Sequence, residues 1–266
     1  MKNFNLKKTI NIIGILSIAV ASFAGTIYLQ KQLLKTEEKN KTIARYKQQE
    51  QAEKVTISAL KNMPAFGFDN LLADWSWLQF LNYFGDDEAR EKTGYSLSPN
   101  YFESVVNHDP RFVRAYFLLA PATSIFAGEP ERGVKAISKG LKSITPDISP
   151  ESYYLWVYKG IDEMMFLNNI EAAKESYKMA SDWAEQSDHP NAENSAKNTK
   201  QTAQFLEENP NSLVAQIGAW TMVLNSTNDT KTQNKALDKI KELGGEIIVS
   251  PNGNVKIRVP EEHPRS

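Results

Sequence analysis

The sequence contains no cysteine, so the chain can form no disulfide, no thiolate metal site and no cysteine nucleophile. This absence is compatible with either a reducing or an oxidising compartment. The sequence also lacks an excess of either charge, because 31 Lys and Arg residues stand against 32 Asp and Glu residues, for a net charge of -1. Nucleic-acid binding normally requires a surplus of cations on one face. The charge balance therefore predicts no nucleic-acid partner.

The motifs of the common enzyme classes are missing as well. The sequence has no phosphate-binding loop, no Rossmann glycine pattern, no nucleophile elbow and no paired zinc-type histidines. Its three histidines, His108, His189 and His263, lie far apart and at expected helix ends, which favours capping or exposure over catalysis. We therefore expect a protein that is not an enzyme, with no catalytic residue, metal site or small-molecule cofactor.

Residues 1–30 are predicted to form a cytoplasmic tail and a transmembrane anchor. Lys2, Lys7 and Lys8 precede an uncharged, mostly apolar run from Thr9 to Leu29, which at about 20 residues matches the roughly 30 Å of a bilayer core. A cleaved signal peptide is the alternative, because Ser22 to Ala24 offers small residues at a possible cleavage position. The apolar run continues beyond that point, which favours a retained anchor. The lysines of the tail favour a large domain outside the cytoplasm.

Three further regions follow the anchor. Residues 31–63 are rich in Lys, Glu and Gln and contain no Pro or Gly, which predicts a solvated helical stalk. Residues 64–226 form the predicted repeat domain. Residues 227–266 are expected to hold a helix, a β-hairpin and a tail, because the runs EIIVS and VKIRV flank Pro-Asn-Gly-Asn and Asn-Gly between β-branched runs is a hairpin signal.

The aromatic-rich stretch GFDNLLADWSWLQFLNYFGD, residues 67–86, is predicted to be a helix of the core. Its apolar side chains crowd onto one broad arc at about 100° per residue, and Leu71, Trp75 and Leu78 extend that arc. The central members of the arc are Ala73, Trp77, Phe80, Leu81 and Phe84. Burial in a core is sufficient to explain them, although a ligand box or a membrane-contacting surface would use the same residue types.

Asp74 falls inside this apolar arc and is predicted to be a buried acid. An unpaired carboxylate there would be costly, so it should have a partner. An ion pair with Arg111 or Arg114, or the positive end of the helix dipole, is the simpler explanation. A functional acid is the alternative.

From residue 112 onward the sequence repeats with a period of about 40 residues. Large residues align with large ones and small residues with small ones, as expected where two helices per unit interlock at a close crossing. The aligned pairs include Tyr116 with Trp156, Ala120 with Gly160, Phe126 with Phe166, Gly133 with Ala173, Ile137 with Tyr177, and Gly140 with Ala180. The short turns Gly128 to Pro130 and Asn168 to Ile170 make each unit a predicted helical hairpin.

This pattern resembles the tetratricopeptide repeat (TPR) family. That motif has an aromatic and a small residue four apart on the first helix, and then a small, large, small set on the second. The matching sets here are Tyr116, Ala120, Gly133, Ile137, Gly140 and Pro146, and then Trp156, Gly160, Ala173, Tyr177 and Ala180. The period is longer than that of the family, the second unit lacks the terminal proline, and Pro121 interrupts a first helix.

The resemblance implies an all-α, TPR-like solenoid of helical hairpins with a small C-terminal β-hairpin. The run from Ala73 to Gly85 is also similar to one found in bacterial, membrane-anchored repeat proteins. In such repeats the first helices line a concave groove that binds a protein partner. By position, the groove residues here would be Arg114, Phe117, Ser124, Tyr154, Val157, Ile161, Met164 and Met165; core packing would explain the apolar ones equally well.

The sequence as a whole indicates a membrane-anchored scaffold or assembly factor that binds proteins through the concave helix face, the hairpin edge or both. An all-helical hydrolase of cell-wall glycan is one alternative, with Asp86, Asp87, Glu88 and Glu91 of an inserted loop, residues 86–100, as its acids. A passive structural spacer is another, and it predicts that changes in the groove have no effect.

Overall fold

A computed structural model describes residues 22–29, 43–208, 213–227, 229–249 and 255–258. The chain divides into two units, Met1–Lys47 and Gln48–Ser266. The described residues are mostly helical and include a small two-stranded sheet, which confirms the coarse prediction of a helical protein with a C-terminal hairpin.

Eleven helices with described bounds follow residues 22–29, which are also helical. They are α1 (Ile43–Asn62), α2 (Asp69–Gly85), α3 (Asp87–Thr93), α4 (Ser98–His108), α5 (Val113–Pro121), α6 (Pro130–Gly140), α7 (Tyr153–Met165), α8 (Ile170–Ala184), α9 (Ala192–Glu208), α10 (Leu213–Ser226) and α11 (Thr230–Glu242). A π-helical turn, Ala122–Phe126, continues α5, and a 3-10 turn, Pro146–Ile148, precedes α7. The strands are β1 (Glu246–Val249) and β2 (Val255–Arg258).

The predicted repeat period is visible in the backbone of two helical hairpins, α5 with α6 and α7 with α8. Gly128 and Asn168 both adopt positive φ, at 62° and 50°. The amide of Ala127 donates to the carbonyl of Ala122 over 3.1 Å, and at the equivalent place in the second hairpin the amide of Leu167 donates to the carbonyl of Asp162 over 3.1 Å. Both bonds span five residues, which is the π-helical spacing. The first helix of each hairpin therefore ends with the same hydrogen bond and the same turn conformation.

The aligned large and small residues meet inside each hairpin. A Cβ atom on Gly140 of α6 would lie 1.8 Å from the hydroxyl of Tyr116 on α5. In the second hairpin, a Cβ atom on Gly160 of α7 would lie 3.2 Å from the ring of Tyr177 on α8. Each glycine thus lets an aromatic ring cross close to the opposite backbone, which is the packing reason for the pattern in the sequence.

The hairpins pack in sequence order. Helix α2 contacts α4, α4 contacts α6, α6 contacts α7, and α8 lies between α7 and α9. The largest core draws residues from α1 through to the start of α9 and contains the fully buried Phe80, Tyr101, Phe102 and Tyr116. A smaller core joins α10 and α11 around Trp220.

Helix α1 differs from the predicted solvated stalk. Residues 31–42 of that stalk lie outside the described residues. Ile57 and Leu60 of α1 are buried in the main core. The hydroxyl of Tyr101 on α4 donates to the carboxylate of Glu53, and Lys61 pairs with Glu103 of α4 over 2.5 Å. The second half of α1 is therefore part of the globular unit, because it carries apolar residues at helical spacing among its charges.

The predicted membrane anchor is the main correction. Among the described residues, no helix is both long enough and apolar enough to cross a bilayer. The apolar helices α2 and α10 have 17 and 14 residues, fewer than the roughly 20 that a span requires. This finding contradicts the prediction of a single-pass membrane protein, on which the expected extracytoplasmic location of the large domain depended. Of the predicted span, residues 9–21 lie outside the described part of the chain, as does the tail before it.

The predicted inserted loop, residues 86–100, contains α3 and the start of α4. The carboxylate of Asp86 accepts a hydrogen bond from the amide of Ala89 over 3.1 Å, which caps α3. Arg90 of α3 is buried over the ring of Tyr83 and donates to the carbonyl of Gly94 over 2.7 Å. The segment is ordered by these contacts.

The two strands pair in antiparallel fashion, with Glu246 opposite Arg258 and Val249 opposite Val255. Strand β1 contacts α11, and Ile247 packs against the core around Trp220. The hairpin therefore docks on the helices, as a two-stranded sheet requires for stability. Its predicted turn, residues 251–254, lies outside the described residues.

Candidate functional site

Four of the predicted groove residues share one side of α7. Tyr154, Val157, Ile161 and Met164 are half-buried and follow the helical spacing i, i+3, i+7 and i+10. Val157, Ile161 and Met164 pack against a small core formed by α8 and α9. These side chains fill the space between neighbouring helices, so packing explains most of their apolar character.

Phe117 of α5 extends this row of side chains. Its ring lies 5.8 Å from that of Tyr154, edge to face, and 6.1 Å from that of Tyr158. His189 contacts Tyr154 from the other side at 5.9 Å. The result is a half-buried aromatic row across the first helices of the two hairpins.

The other three predicted groove residues lie elsewhere. Met165 packs against the core around Trp220. Arg114 is exposed and pairs with Glu151 over 3.3 Å. Ser124 is buried in the π-helical turn and cannot line a groove, because its hydroxyl donates a hydrogen bond to the carboxylate of Asp162 inside the protein. The extra residue of the π-helical turn rotates Ser124 away from the face that regular α-helical spacing predicts.

Asp162 belongs to a buried polar cluster that the sequence analysis missed. Asp162 lies on α7 and faces Gly133 on α6. Because Gly133 has no side chain, there is space for the Asp162 carboxyl group: a Cβ atom on Gly133 would be 3.1 Å from one of its oxygens. Burial raises the pKa of Asp162 to about 8, although the bond from Ser124 acts in the opposite direction. This contact joins the first hairpin to the second.

Glu163, the next residue, is also buried, and it is neutralised within the protein. Lys159 lies 2.5 Å from one of its carboxylate oxygens, and the hydroxyl of Ser176 donates to the other over 2.6 Å. Lys159 also donates to Ser176 over 2.9 Å. Because these groups satisfy one another in a closed interior, the cluster supports a structural role.

An exposed apolar surface with helical spacing lies on α2. We use the name α2 strip for Phe68, Leu71, Trp75 and Leu78, whose exposed fractions are 66%, 63%, 50% and 53%. Phe68 immediately precedes the helix, and the other three occupy one side of it at the spacing i, i+4 and i+7. Phe66, which is 86% exposed, adjoins the strip along the chain.

The opposite side of α2 faces the core. Ala73, Ser76, Phe80 and Tyr83 are buried against α4, and the hydroxyl of Ser76 shares a 2.8 Å hydrogen bond with that of Ser104. The sequence analysis placed the strip with the core because α2 is apolar around most of its circumference. Ser76 on the buried side is the signal that could have located the core-facing side, since a small residue permits close helix packing.

Asp74 corrects another prediction, because it is exposed rather than buried. It lies beside Leu78 at the edge of the α2 strip and forms no ion pair with the described residues. The two arginines expected to pair with Asp74 contact other groups. Arg111 donates to the carbonyl of Ser143 over 3.1 Å, and Arg114 pairs with Glu151. Solvent, rather than a buried cation, therefore stabilises the carboxylate.

Two of the four acids considered for a glycan hydrolase have local contacts. Asp86 caps α3, and Glu91 lies 3.1 Å from Lys92. Within the described ranges, no group of three or more His, Asp or Glu side chains is placed to hold a metal ion. Comparison of the chain with protein-family models, curated proteins and solved structures found no match.

Proposed function

We propose that this protein is a non-enzymatic scaffold, built from TPR-like helical hairpins, that binds an amphipathic helix of another protein along the α2 strip. The observation that carries this proposal is the exposure of three large apolar side chains, Leu71, Trp75 and Leu78, in one row. Burying a large apolar side chain contributes about 1.5 to 3 kcal/mol. Contiguous exposed apolar surface of this kind marks interaction sites on proteins.

The spacing of the strip favours a helix as the occupant. Side chains at i, i+4 and i+7 form a straight seam along α2, which pairs with a similar seam on a second helix. Trp75 lies in the middle of the seam, and Trp is among the residues that contribute most to binding energy at interfaces.

Asp74, which forms no ion pair within the described part of the chain, specifies the chemistry of the partner further. A carboxylate at the edge of an apolar seam would lose hydration when the seam is covered. A Lys or Arg on the partner helix opposite Asp74 would compensate that loss. We therefore expect the partner helix to carry apolar residues on one side with a cation beside them.

The resemblance to TPR proteins supports the scaffold part of the proposal. The two hairpins share turn conformations and five-residue hydrogen bonds at equivalent positions of the repeat. A stack of such hairpins presents rigid helical surfaces and leaves side chains available for contacts. The half-buried aromatic row of Phe117 and Tyr154 is a second surface of this type, but its side chains already have packing partners.

Photo-crosslinking in cells tests the proposal. A photoreactive amino acid in place of Asn82, which is exposed on the same side of α2, should join the full chain to a segment of another protein. Mass spectrometry should show that this segment is an amphipathic helix with a Lys or Arg on its apolar border. Crosslinks that join only two copies of this chain, or no crosslink at all, would contradict the proposal; the second result would favour a passive spacer.

The matched variants are Trp75→Ser with Leu78→Ser on the strip, and Met222→Ser, on α10, as a control with 48% exposure. The strip variant should reduce the crosslinked product at least about tenfold, as the loss of central anchors does at interfaces, and the control should not. Asp74→Lys should also reduce it, because two cations would then face each other. All variants should retain the thermal melting of the parent protein, since these side chains contribute little to the core.

A further inference from the structure

A second surface, on a different part of the molecule, is lined by several Lys and Arg side chains. A groove of about 440 Å³ lies between the end of α1, α4 and α6. Its charged lining consists of Lys61, Glu103, Arg132, Lys135, Lys139 and Lys142. Five cations and one acid leave four positive charges in the groove, whereas the whole chain has a net charge of -1. We call this surface the cationic groove.

The cations of α6 form a line. Arg132, Lys135 and Lys139 occupy one side of the helix at i, i+3 and i+7, and Lys142 follows in the next turn. At 1.5 Å per residue, the stretch from Arg132 to Gly140 is about 12 Å long, and Lys142 lies in the turn that follows the helix. Four cations along such a line cannot all converge on one phosphate group. They match a ligand whose negative charges are also spread along a line.

Part of the charge is already balanced within the groove. Glu103 accepts hydrogen bonds from Lys61 at 2.5 Å and from Arg132 at 2.8 Å. Burial raises the pKa of Glu103, but the two cations outweigh burial and lower that pKa below its ordinary value. Glu103, Lys61 and Arg132 are therefore all charged and hold one another in place in the lining of the groove. Arg132 is anchored further by a 3.1 Å bond to Asn100.

The remaining lysines carry the surplus charge. Lys135, Lys139 and Lys142 are exposed, and none of them forms an ion pair with any residue in the described part of the chain. Lys139 donates a hydrogen bond to the side-chain oxygen of Asn107, which holds its ammonium group over the groove. Val106 and Ala136 also line the groove, but they are only 1% and 4% exposed, so its accessible apolar surface comes from the hydrocarbon stems of the lysines.

We propose that the cationic groove binds an acidic, extended peptide segment of a partner protein. Carboxylates of the segment pair with Lys135, Lys139 and Lys142, and an apolar side chain between them lies against the hydrocarbon stems of these lysines. An extended segment rises about 3.3 Å per residue, so four to five residues cover the line of cations. The stems favour such a segment over a phosphate polymer, which has no apolar group to place against them. This site is separate from the α2 strip and does not depend on it.

Fluorescence anisotropy with the full chain tests this inference. The probe is a labelled eight-residue peptide of alternating Glu and Val, and the same peptide with Gln in place of Glu is the uncharged control. The acidic probe should bind, the control probe should not, and binding should weaken as salt rises because the contacts are exposed ion pairs. Failure of the acidic probe to bind at any accessible concentration would overturn the inference.

Matched variants locate the site. The triple variant Lys135→Gln, Lys139→Gln and Lys142→Gln should weaken binding about tenfold, or about 1.4 kcal/mol. The control removes three exposed lysines elsewhere, through Lys178→Gln, Lys197→Gln and Lys200→Gln, and should change binding less than about twofold. Equal weakening by both variants would overturn the site, because it would reflect net charge alone.

Competition distinguishes the ligand class. Unlabelled acidic peptide should displace the probe, and inorganic polyphosphate of the same total charge should do so less effectively. Polyphosphate that competes as well as the peptide would overturn the assignment to a peptide. The strip variant at Trp75 and Leu78 should bind the probe normally, so this test and the crosslinking test fail independently.

Discussion

At the scale of single residues, Asp162 has an environment very different from that of an exposed carboxyl group. It lies on α7 against α6 and the π-helical turn after α5, and its neighbours include Ser124, Glu163 and Glu131. Burial and the two glutamates disfavour its charged form, and the Ser124 hydroxyl only partly offsets them. A residue that is acidic in the sequence therefore retains its proton near neutral pH in the folded protein.

This environment predicts a pH dependence of stability. The pKa of Asp162 is 3.8 when unperturbed and about 8 in the folded state. Between these values the folded state holds the proton that the unfolded state has lost, so the free energy of unfolding should decrease from about pH 4 to about pH 8. The slope contributed by one such group approaches about 1.4 kcal/mol per pH unit. Stability should be highest on the acidic side of this window.

Urea denaturation at several pH values between 4 and 8 measures the effect. Asp162→Asn should reduce the slope, because an amide has no proton to lose in this range. Asp182→Asn, at an exposed position on α8, is the control and should leave the slope unchanged. The same pH dependence in the Asp162 variant and the parent protein would contradict the prediction.

At the scale of elements, the helical hairpins depend on small residues where two helices cross. Tyr116 is fully buried, and its hydroxyl donates to the carbonyl of Pro110 over 2.8 Å. The ring therefore has no space to move when the opposite helix gains an atom. The repeating pattern of small residues in the sequence is explained by this contact.

Gly140→Ala should destabilise the protein by roughly 1 to 3 kcal/mol, which is typical of overpacking in a core. The added Cβ atom would lie 1.8 Å from the Tyr116 hydroxyl. Gly218→Ala is the matched control, because no atom lies within 4 Å of the position that its Cβ would take. It should be neutral or stabilise by roughly 0.5 to 1 kcal/mol, since alanine favours a helix. Urea denaturation measures both, and equal effects would refute the packing argument.

Helix α2 shows how an element can be predicted while its environment is not. Its existence and approximate ends follow from local sequence, because Pro64 and Gly67 precede it and apolar residues recur at helical spacing. Its orientation does not follow, because α2 is apolar on more than one side. Only the contact with α4 selects Phe80 for the core and leaves Trp75 and Asp74 exposed.

At the scale of the whole molecule, the chain divides between Lys47 and Gln48. Within the second unit, α1 contacts the rest of the unit from Glu50 onward: Ser96 donates to Glu50 over 2.9 Å, and Ile57 and Leu60 belong to the main core. The segment Gln48–Ser266 therefore contains these core contacts of α1.

A protein comprising residues 48–266 should fold by itself. We expect helical circular dichroism and one cooperative thermal transition close to that of the full chain. A second truncation that begins at residue 64, and so removes α1, is the comparison. It exposes the surface that Ile57 and Leu60 cover and should melt at a lower temperature, as the loss of two buried apolar side chains implies. Equal melting of the two truncations would show that α1 contributes nothing to the core.

The two proposed binding surfaces also belong to this scale. The cationic groove draws Lys61 from α1, Glu103 from α4 and three lysines from α6 and the turn after it. These residues are far apart in the sequence, and the overall charge balance conceals them. Sequence reasoning identified neither this groove nor the α2 strip, because both depend on which helices become neighbours.

Local chemistry in the amino-acid sequence was enough to indicate most of the helices, although not α3, together with the turns at Gly128 and Asn168, the repeating pattern of large and small residues and the C-terminal hairpin. Each of these depends on residues close together in the chain. The length and apolar character of the N-terminal run led to a wrong prediction of a membrane-spanning protein. Packing between helices determined the exposure of Trp75 and Asp74, the burial of Asp162 and Ser124, and the gathering of cations beside Glu103. These properties depend on neighbours supplied by distant segments, so spacing along one helix cannot specify them.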